Sequence, residues 1–213
     1  MLDVATGAGE AAAMAVRIVG ETGLVVGADI SWEMVKSAQV RLDTQLYRAV
    51  SADGQGLPFK DEAFDAVVCQ LGLQFFPNPA AGLLDFRRVV RAGGMVAVCV
   101  ISTPDRLKMW GNLSDALNRF LSQEQRNVLA MSWSLADRDR LERLFGNAGF
   151  QDIHVEQVGR EGTIDGFGDY WAPIERGWGK SHRHIVLSMK LIVARCGRKS
   201  TRAWRNMRRQ MAR

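Results

Sequence analysis

Five continuously apolar runs alternate with segments of helical periodicity over the first 102 residues, and this alternation limits the fold more than any other feature. Apolar runs without polar interruption are typical of strands that are covered on both faces of a sheet. Such strands, separated by single helices, are joined by right-handed crossovers and lie parallel. The pattern predicts an α/β fold with a doubly wound, mostly parallel sheet. Strands are predicted over residues 1–6, 24–29, 46–51, 65–71 and 95–102, and helices over 10–19, 31–42 and 79–91.

The rhythm changes after Ser102. Residues 103–134 are predicted to form a helical insertion that caps one end of the sheet. Residues 135–150 predict a further helix with one apolar face, and 151–158 alternate like a strand, with 161–165 as a candidate neighbour. We expect these last strands to form an antiparallel edge of the sheet.

Charge is distributed unevenly along the chain. Residues 176–213 hold 12 of the 28 Lys and Arg and no Asp or Glu, whereas residues 1–175 hold all 23 acidic side chains. We therefore predict one domain over residues 1–175 and a basic C-terminal tail over 176–213. A terminal basic arm is weaker evidence for nucleic-acid binding than a basic face over a groove. Nucleic acid is therefore not the expected partner.

The three cysteines, Cys69, Cys99 and Cys196, are far apart and odd in number. Two of them lie in apolar runs, so they are predicted to be buried thiols rather than disulfide partners. No Cys/His set has the spacing of zinc ligands, and no metal site is predicted. The first residues lack the basic region of a signal peptide, and no apolar stretch reaches the length of a membrane span. These features lead us to expect a cytoplasmic protein.

A turn with two glycines joins the first predicted strand to the first helix, in the sequence Asp3-Val4-Ala5-Thr6-Gly7-Ala8-Gly9. Glycine allows a tight turn there and lets backbone N–H groups approach a ligand, while the helix N-terminus favours an anionic group. Asp29 ends the second strand, where a carboxylate can accept hydrogen bonds from both hydroxyls of a ribose. The two features together predict an adenosine-containing cofactor, and several cofactor classes share them.

A nicotinamide-dependent enzyme of the short-chain dehydrogenase class is one candidate. Such an enzyme needs a Tyr-x-x-x-Lys pair, because the lysine cation lowers the pKa of the phenol. The only two tyrosines, Tyr47 and Tyr170, are followed four residues later by Ser51 and Ile174. The sequence therefore disfavours this class.

Five motifs occur in a fixed order along the chain: LDVATGAGE, GADISWEM, ADGQGLPF, FDAVVCQLGLQFFPN and RVVRAGG. In this order and spacing they resemble the class I S-adenosylmethionine-dependent methyltransferases of the type 11 domain group. That group contains the ubiquinone/menaquinone-biosynthesis C-methyltransferases. The resemblance is strong over residues 1–102 and looser over 135–175. It implies a Rossmann-like fold, S-adenosylmethionine as the cofactor and methyl transfer as the reaction.

The resemblance also implies cofactor-binding residues, which follow the carboxyl ends of the first four strands. The methionine end of the cofactor is assigned to Asp3, Ala5, Thr6, Gly7 and Gly9. Asp29 is assigned to the ribose, and Gln70 is assigned to the wall of the pocket. The adenine is assigned to Ile30, Met34, Asp53 and Gly54. These eleven positions are the predicted site.

The chain departs from the family at three places. Ala92 replaces the proline that usually precedes the Gly-Gly turn, and Gln74 stands where close relatives often carry histidine. If that histidine takes part in the chemistry of the relatives, the same chemistry is not expected here. The chain also begins inside its first predicted strand, whereas relatives carry an additional N-terminal helical segment, so we expect a more open pocket.

No catalytic residue is assigned, because a sulfonium methyl is already activated and the protein mainly has to hold a nucleophile in line with it. His154 is predicted to be an exposed strand residue, His182 and His184 to lie in a solvated turn, and Asp105 to cap a helix. Aromatic side chains of the cap and of residues 166–179 predict an apolar acceptor pocket. They are Trp110, Trp133, Tyr170, Trp171 and Trp178, with Phe75 and Phe76 at the rim.

The predicted function is methyl transfer from S-adenosylmethionine to O, C or N of a small, aromatic or quinone-like acceptor. Two alternatives stay open at this point. One is a truncated, non-catalytic cofactor-binding protein, and the other is an RNA methyltransferase that uses the basic tail. The sequence does not determine the oligomeric state.

Overall fold

The computed structural model describes residues 1–159 and 189–196, and within these residues seven strands form one sheet. The strands are β1 (Leu2–Val4), β2 (Val25–Asp29), β3 (Tyr47–Ser51), β4 (Phe64–Gln70), β5 (Val90–Ile101), β6 (Gln151–Val158) and β7 (Met189–Arg195). Their order is β3-β2-β1-β4-β5-β7-β6. Strands β1 to β5 pair in parallel, and β7 is antiparallel to both of its neighbours. The predicted doubly wound sheet with an antiparallel edge is therefore confirmed.

Helices connect the parallel strands where the sequence predicts them. The helices are α1 (Glu10–Val19), α2 (Trp32–Arg41), α3 (Pro79–Val89), α4 (Lys108–Leu117), α5 (Gln123–Met131) and α6 (Arg138–Asn147), with a short 3₁₀ helix at Leu73–Phe75. Ser31 caps α2 as predicted, since its hydroxyl oxygen accepts a hydrogen bond from the amide of Met34 at 3.3 Å. Asn78 caps α3 in the same way, with Pro79 at the first helical position.

Two clusters of buried apolar side chains cover the sheet. Val25 of β2 packs with Tyr47 and with the alanines of α1 and α2, whereas Ala28 belongs to the larger cluster built on α3 and α6. Residues three apart on a strand point to opposite faces, which explains why Val25 and Ala28 fall in different clusters. Phe86 of α3 and Phe145 of α6 are fully buried in the larger one. Within the described residues, helices therefore pack on both faces of the sheet, and a ligand can approach the ends of the strands.

Strand β5 begins five residues earlier than predicted, at Val90 rather than at Met95. Gly93 and Gly94 were expected as a turn between the predicted helix over 79–91 and this strand, but both lie within the strand. Gly93 has a φ of +78°, and its amide donates a hydrogen bond to the carbonyl of Cys196, while the Cys196 amide donates to Gly94 at 3.1 Å. Glycine with a positive φ is typical of a bulge that bends a strand. Pairing with β7 therefore draws the Gly-Gly pair into the sheet.

Strand β7 lies inside the segment that was predicted as a basic tail. Its residues pair with β5 on one side, as in Val96 with Ala194, and with β6 on the other. Ala194 is fully buried in the larger core cluster. The prediction of a basic tail is therefore wrong for residues 189–195. It gave more weight to the charge of residues 176–213 than to the apolar run within them. The candidate neighbour of β6 at 161–165 lies outside the described residues, and the observed neighbour is β7.

The helical cap contains α4 and α5, as the sequence predicts for residues 103–134. Ser122 and Gln125 form a reciprocal capping box at the start of α5. Asp105 does not cap α4, which begins at Lys108 with Leu107 at the N-cap position. Within the described residues, each helix falls short of the length and apolar character needed to cross a membrane.

Candidate cofactor site

The turn after β1 is the centre of the candidate site. Ala5, Gly7 and Gly9 all have left-handed backbones, with φ values of +56°, +55° and +86°. The Gly9 amide donates to the carbonyl of Thr6 at 2.9 Å, which closes the turn directly before α1. Gly9 provides no side-chain cap for the helix. N–H groups at an uncapped helix N-terminus attract an anion such as the carboxylate of a methionine moiety.

Asp3 lies under this turn and has no contact with solvent. Its Oδ2 accepts a hydrogen bond from the Thr6 hydroxyl at 2.7 Å. Burial, helped by the negative charges of Asp29 and Glu10, raises the pKa of the Asp3 carboxyl to about 7, although hydrogen bonds from the Thr6 side chain and the Ala12 backbone act in the opposite direction. This position suits a residue that holds the turn in shape.

Asp29 connects the turn to the end of β2. Its Oδ2 accepts from the Gly7 amide and its Oδ1 from the Ser31 amide, each at 2.9 Å. A carboxylate oxygen has two lone pairs, so each oxygen of Asp29 can accept one more hydrogen bond. Its half-buried side chain is thus oriented for a diol such as the two hydroxyls of a ribose.

Apolar side chains stand beside Asp29 on the outer side of the site. Ile30 is 75% exposed and Met34 is 43% exposed. Isolated exposed apolar residues are common, but Ile30 directly follows Asp29 and Met34 lies in the first turn of α2. The faces of a purine would find apolar contacts there.

Asp53 and Gly54 follow the end of β3. The Asp53 side chain is exposed, and its Oδ1 accepts from the backbone amide of Gln55 at 2.9 Å. Gly54 is buried, and a Cβ atom at this position would lie 2.3 Å from the Phe76 ring. Glycine is therefore required for the close approach of this loop to Phe76.

The ends of β1 and β4 meet at the floor of the site. A Cβ atom on Gly72 would lie only 2.3 Å from the Cβ of Ala5. Leu71 has a left-handed backbone with a φ of +58°, as Ala5 does. Non-glycine residues in this region cost about 1–3 kcal/mol and tend to occur at functional sites. Gln70, the last residue of β4, is exposed beside them.

The structure thus brings together most of the predicted site. Direct hydrogen bonds or tight packing join Gly7 with Asp29, Thr6 with Asp3, and Ala5 with the segment after Gln70. Asp53, Ile30 and Met34 surround this centre at the ends of β2 and β3. Sequence reasoning did not single out Leu71 or Gly72, although a glycine in the motif after a buried strand signals close backbone approach.

The remaining sequence-predicted residues lie elsewhere or outside the described chain. His154 is exposed on β6, as predicted, with its Nε2 3.7 Å from a carboxylate oxygen of Glu156. Asp105 is exposed, and a hydrogen bond from the Thr103 hydroxyl lowers the pKa of its carboxyl. Trp133 is half-buried between α5 and α6. The side chain of Trp110, and residues Tyr170, Trp171, Trp178, His182 and His184, lie outside what the structure describes.

Comparison with known proteins gives the family. The model of the ubiE/COQ5 methyltransferase family matches residues 1–164. A demethylmenaquinone methyltransferase of Corynebacterium kroppenstedtii is 32% identical over 163 residues, which cover 72% of this chain and 68% of the relative. The protein of the same name from Staphylococcus saprophyticus is 29% identical over 166 residues, covering 72% and 71%. Both sequence-based alternatives, a non-catalytic protein and an RNA methyltransferase, find no support here.

Solved structures agree on the fold. A phosphoethanolamine N-methyltransferase of Haemonchus contortus, solved with S-adenosyl-L-methionine, has a TM-score of 0.62 at 17% identity, covering 93% of this chain and 48% of that one. An arsenic(III) S-adenosylmethionine methyltransferase of Chlamydomonas reinhardtii has a TM-score of 0.57 at 20% identity, covering 92% and 62%. With its sheet order, its glycine turn and its matched family model, the chain belongs to the ubiE/COQ5 methyltransferase family and is an S-adenosylmethionine-dependent methyltransferase.

Proposed function

We propose that this chain transfers the methyl group of S-adenosylmethionine to a quinone-type aromatic acceptor in its reduced, hydroquinone form. The observation that carries the proposal is the pair of hydrogen bonds that fix Asp29 between the glycine turn and α2. The relatives supply the acceptor class, since they are named demethylmenaquinone methyltransferases. A small-molecule acceptor agrees with the sequence-based prediction.

We propose that the eleven predicted positions hold the cofactor, in two ways. Asp3 acts from below by fixing the turn through Thr6. The other ten contact the cofactor from the carboxyl ends of β1 to β4, with Asp29 accepting hydrogen bonds from the ribose. Gly54 lets the loop after β3 approach the adenine side, because Phe76 occupies the space that a Cβ atom would need.

The reduced form of the acceptor follows from the chemistry of methyl transfer. Bound S-adenosylmethionine supplies an electrophilic methyl group, so the acceptor must provide an electron pair. A hydroquinone is electron-rich at its ring carbons and oxygens, whereas a quinone is electron-poor. The new bond forms to the acceptor as the methyl–sulfur bond breaks, S-adenosylhomocysteine leaves, and the acceptor loses one proton.

The exposed rim beyond β4 suits such an acceptor. Phe75 is 45% exposed at the end of the 3₁₀ helix, and Phe76 packs behind it between Gly54 and Gly82. Aromatic side chains at the mouth of a pocket bind planar ligands by stacking and by apolar contact. The protein's part in catalysis is then to hold the acceptor in line with the methyl group.

We also propose a cytoplasmic location and a catalytic unit made of residues 1–175 together with β7. Cys69, Cys99 and Cys196 form no disulfide within the described chain, which suits a reducing compartment. Strand β7 is included because it separates β5 from β6 in the sheet.

Calorimetric titration with S-adenosylhomocysteine tests the cofactor site. Asp29→Ala should weaken binding by about 1–3 kcal/mol, because the ribose hydroxyls and two backbone amides lose their acceptor. Asp53→Ala should also weaken binding, and it does so without removing a contact between strands. Asp43→Ala, an exposed carboxylate beyond α2, is the matched control and should bind as the wild type does. Equal affinity in all four proteins would contradict the proposed site.

Turnover tests the acceptor. A short-chain demethylmenaquinone is supplied anaerobically in its reduced and oxidised forms, and methylated product is measured by mass spectrometry. We expect product from the reduced form alone. Cofactor binding without any product would show that the acceptor class is wrong while the cofactor site is right.

A further inference from the structure

Gln74 is a buried amide without a partner. Its side chain is 2% exposed, and neither Nε2 nor Oε1 has a hydrogen-bond partner within residues 1–159 and 189–196. Gln74 belongs to the 3₁₀ helix that follows β4, and its backbone carbonyl accepts from the Ser134 hydroxyl at 3.0 Å. The backbone of Gln74 is thus fixed under the segment that joins α5 to α6, while its side-chain amide has no hydrogen-bond partner among the described residues.

Ser102 shows the same property on the neighbouring strand. It directly follows β5, is fully buried, and its hydroxyl has no partner among the described residues. Strands β4 and β5 are paired up to Gln70 and Cys99. Gln74 and Ser102 therefore follow the ends of adjacent strands, and Gln74 directly precedes Phe75 of the proposed acceptor rim.

Two buried polar side chains without hydrogen-bond partners are energetically unfavourable unless a ligand binds to them. Burying an amide or a hydroxyl without a hydrogen bond costs its full desolvation, so buried polar side chains in folded proteins are nearly always paired. A core role would favour methionine or leucine at position 74, and the preceding Leu73 is indeed fully buried and apolar. Two orphaned polar groups at the ends of neighbouring strands indicate a ligand that completes their hydrogen bonds.

We infer that the Gln74 amide, assisted by the Ser102 hydroxyl, hydrogen-bonds an oxygen atom of the acceptor and so determines which acceptors are methylated. This inference rests on the proposed function and adds the residues that recognise the acceptor's oxygen. An amide offers a donor and an acceptor from one group, which matches a phenolic hydroxyl that both donates and accepts. Gln74 acts as a specificity residue, because an amide does not take up or release a proton at neutral pH.

The chemistry of the amide distinguishes this site from a general base. A titrating group would make acceptor binding depend on pH near its pKa. Acceptor binding through Gln74 should instead be independent of pH between pH 5 and pH 8. The preference is for a hydroxyl over a methyl ether, because only the hydroxyl can donate to Oε1.

The test compares two small probes, 1-naphthol and 1-methoxynaphthalene, on protein saturated with S-adenosylhomocysteine. Affinities are measured by ligand-observed NMR, which does not require turnover. Wild-type protein should bind 1-naphthol more tightly, by about tenfold. Gln74→Met, which keeps the length of the side chain but removes both polar atoms, should bind the two probes equally. Ser102→Ala should reduce the preference in part.

Gln123→Met is the matched control, since Gln123 is exposed on α5 and its amide donates to Asn127. This variant should keep the wild-type preference. Thermal unfolding serves as a second measurement: Gln74→Met should be at least as stable as the wild type, because it removes two unpaired buried atoms. A stable Gln74→Met protein that still prefers 1-naphthol, or a wild type that shows no preference, would overturn the inference.

Failure of the inference and failure of the proposed function give different results. If the quinone class is wrong, reduced demethylmenaquinone is not methylated, but Gln74→Met still removes the preference for a hydroxyl. If the inference is wrong, methylation of the quinol proceeds while the preference is the same in wild type and variant.

Discussion

At the scale of the single residue, burial gives ordinary side chains unusual properties around the site. Asp3, Thr6 and Gln74 are all buried and polar. Oδ2 of Asp3 accepts a hydrogen bond from the Thr6 hydroxyl, whereas neither polar atom of the Gln74 amide has a partner in the described chain. The first pair supports the turn, and the orphaned amide is suited to meet a ligand.

Asp3 should make the stability of the protein depend on pH. The pKa of Asp3 is raised in the folded state, so the folded state binds a proton more tightly than the unfolded state. The stabilisation is present at pH values below about 4 and is lost as the pH rises to about 7, at up to about 1.4 kcal/mol per pH unit. The Asp3→Asn variant should not lose stability in this way as the pH rises, because asparagine can still accept a hydrogen bond from Thr6 and carries no charge.

Urea unfolding at pH 4, 5.5, 7 and 8 measures this effect. The stability of Asp3→Asn relative to the wild type should increase from pH 4 to pH 7 and stay constant above it. Asp43→Asn, at an exposed position, should follow the wild type throughout. Parallel curves for Asp3→Asn and the wild type would show that Asp3 is already ionised in the folded protein.

At the scale of the element, the site is formed where strand ends meet. The motif after β1 and the motif after β4 are about 65 residues apart in sequence, yet Ala5 and Gly72 are in van der Waals contact. Both segments carry a left-handed non-glycine residue, Ala5 and Leu71. The sequence marks each motif separately, and only the parallel pairing of β1 with β4 brings them together.

Gly72→Ala should disturb the turn that binds the cofactor. Its methyl group would lie 2.3 Å from the Cβ of Ala5 and 3.0 Å from the sulfur of Cys69, so backbone has to move. Overpacking of this kind costs about 1–3 kcal/mol. We expect lower thermal stability and at least tenfold weaker binding of S-adenosylhomocysteine by calorimetry.

Gly56→Ala is the matched control for this prediction, because a Cβ atom there has no neighbour within 4 Å and the φ angle is not positive. It should keep both stability and affinity. An affinity in Gly72→Ala equal to that in Gly56→Ala would mean that the two strand ends do not act as one site.

At the scale of the whole molecule, β7 completes the sheet from a distant part of the sequence. It pairs with β5 along its full length and with β6 across one register shift, and Ala194 adds to the main core cluster. The position of β7 beside β5 also places the Gly93-Gly94 bulge, through hydrogen bonds to Cys196. A segment with strongly basic flanks is therefore part of the catalytic fold.

Ala194→Asp should be strongly destabilising, because it places an unpaired charge in the core, at a cost on the order of 3–5 kcal/mol. The same substitution at Ala116, an exposed residue of α4, should cost less than about 1 kcal/mol. Chemical unfolding monitored by circular dichroism measures both. Similar small effects in the two variants would indicate that residues 189–195 behave as a solvated tail.

The sequence by itself determined the alternation of strands and helices, the cap of α2 and the motifs of the site. These features are local: apolar periodicity distinguishes a strand from a helix, and a turn with a positive φ favours glycine. The tertiary structure decided that the Gly-Gly pair belongs to a strand, that β7 enters the sheet, and that Asp3 and Gln74 are buried. Strand pairing and burial depend on contacts between segments far apart in the chain. No local pattern at Gly93 or Gln74 contains that information, and the apolar run that ends at Ala194 does not show which strands it pairs with.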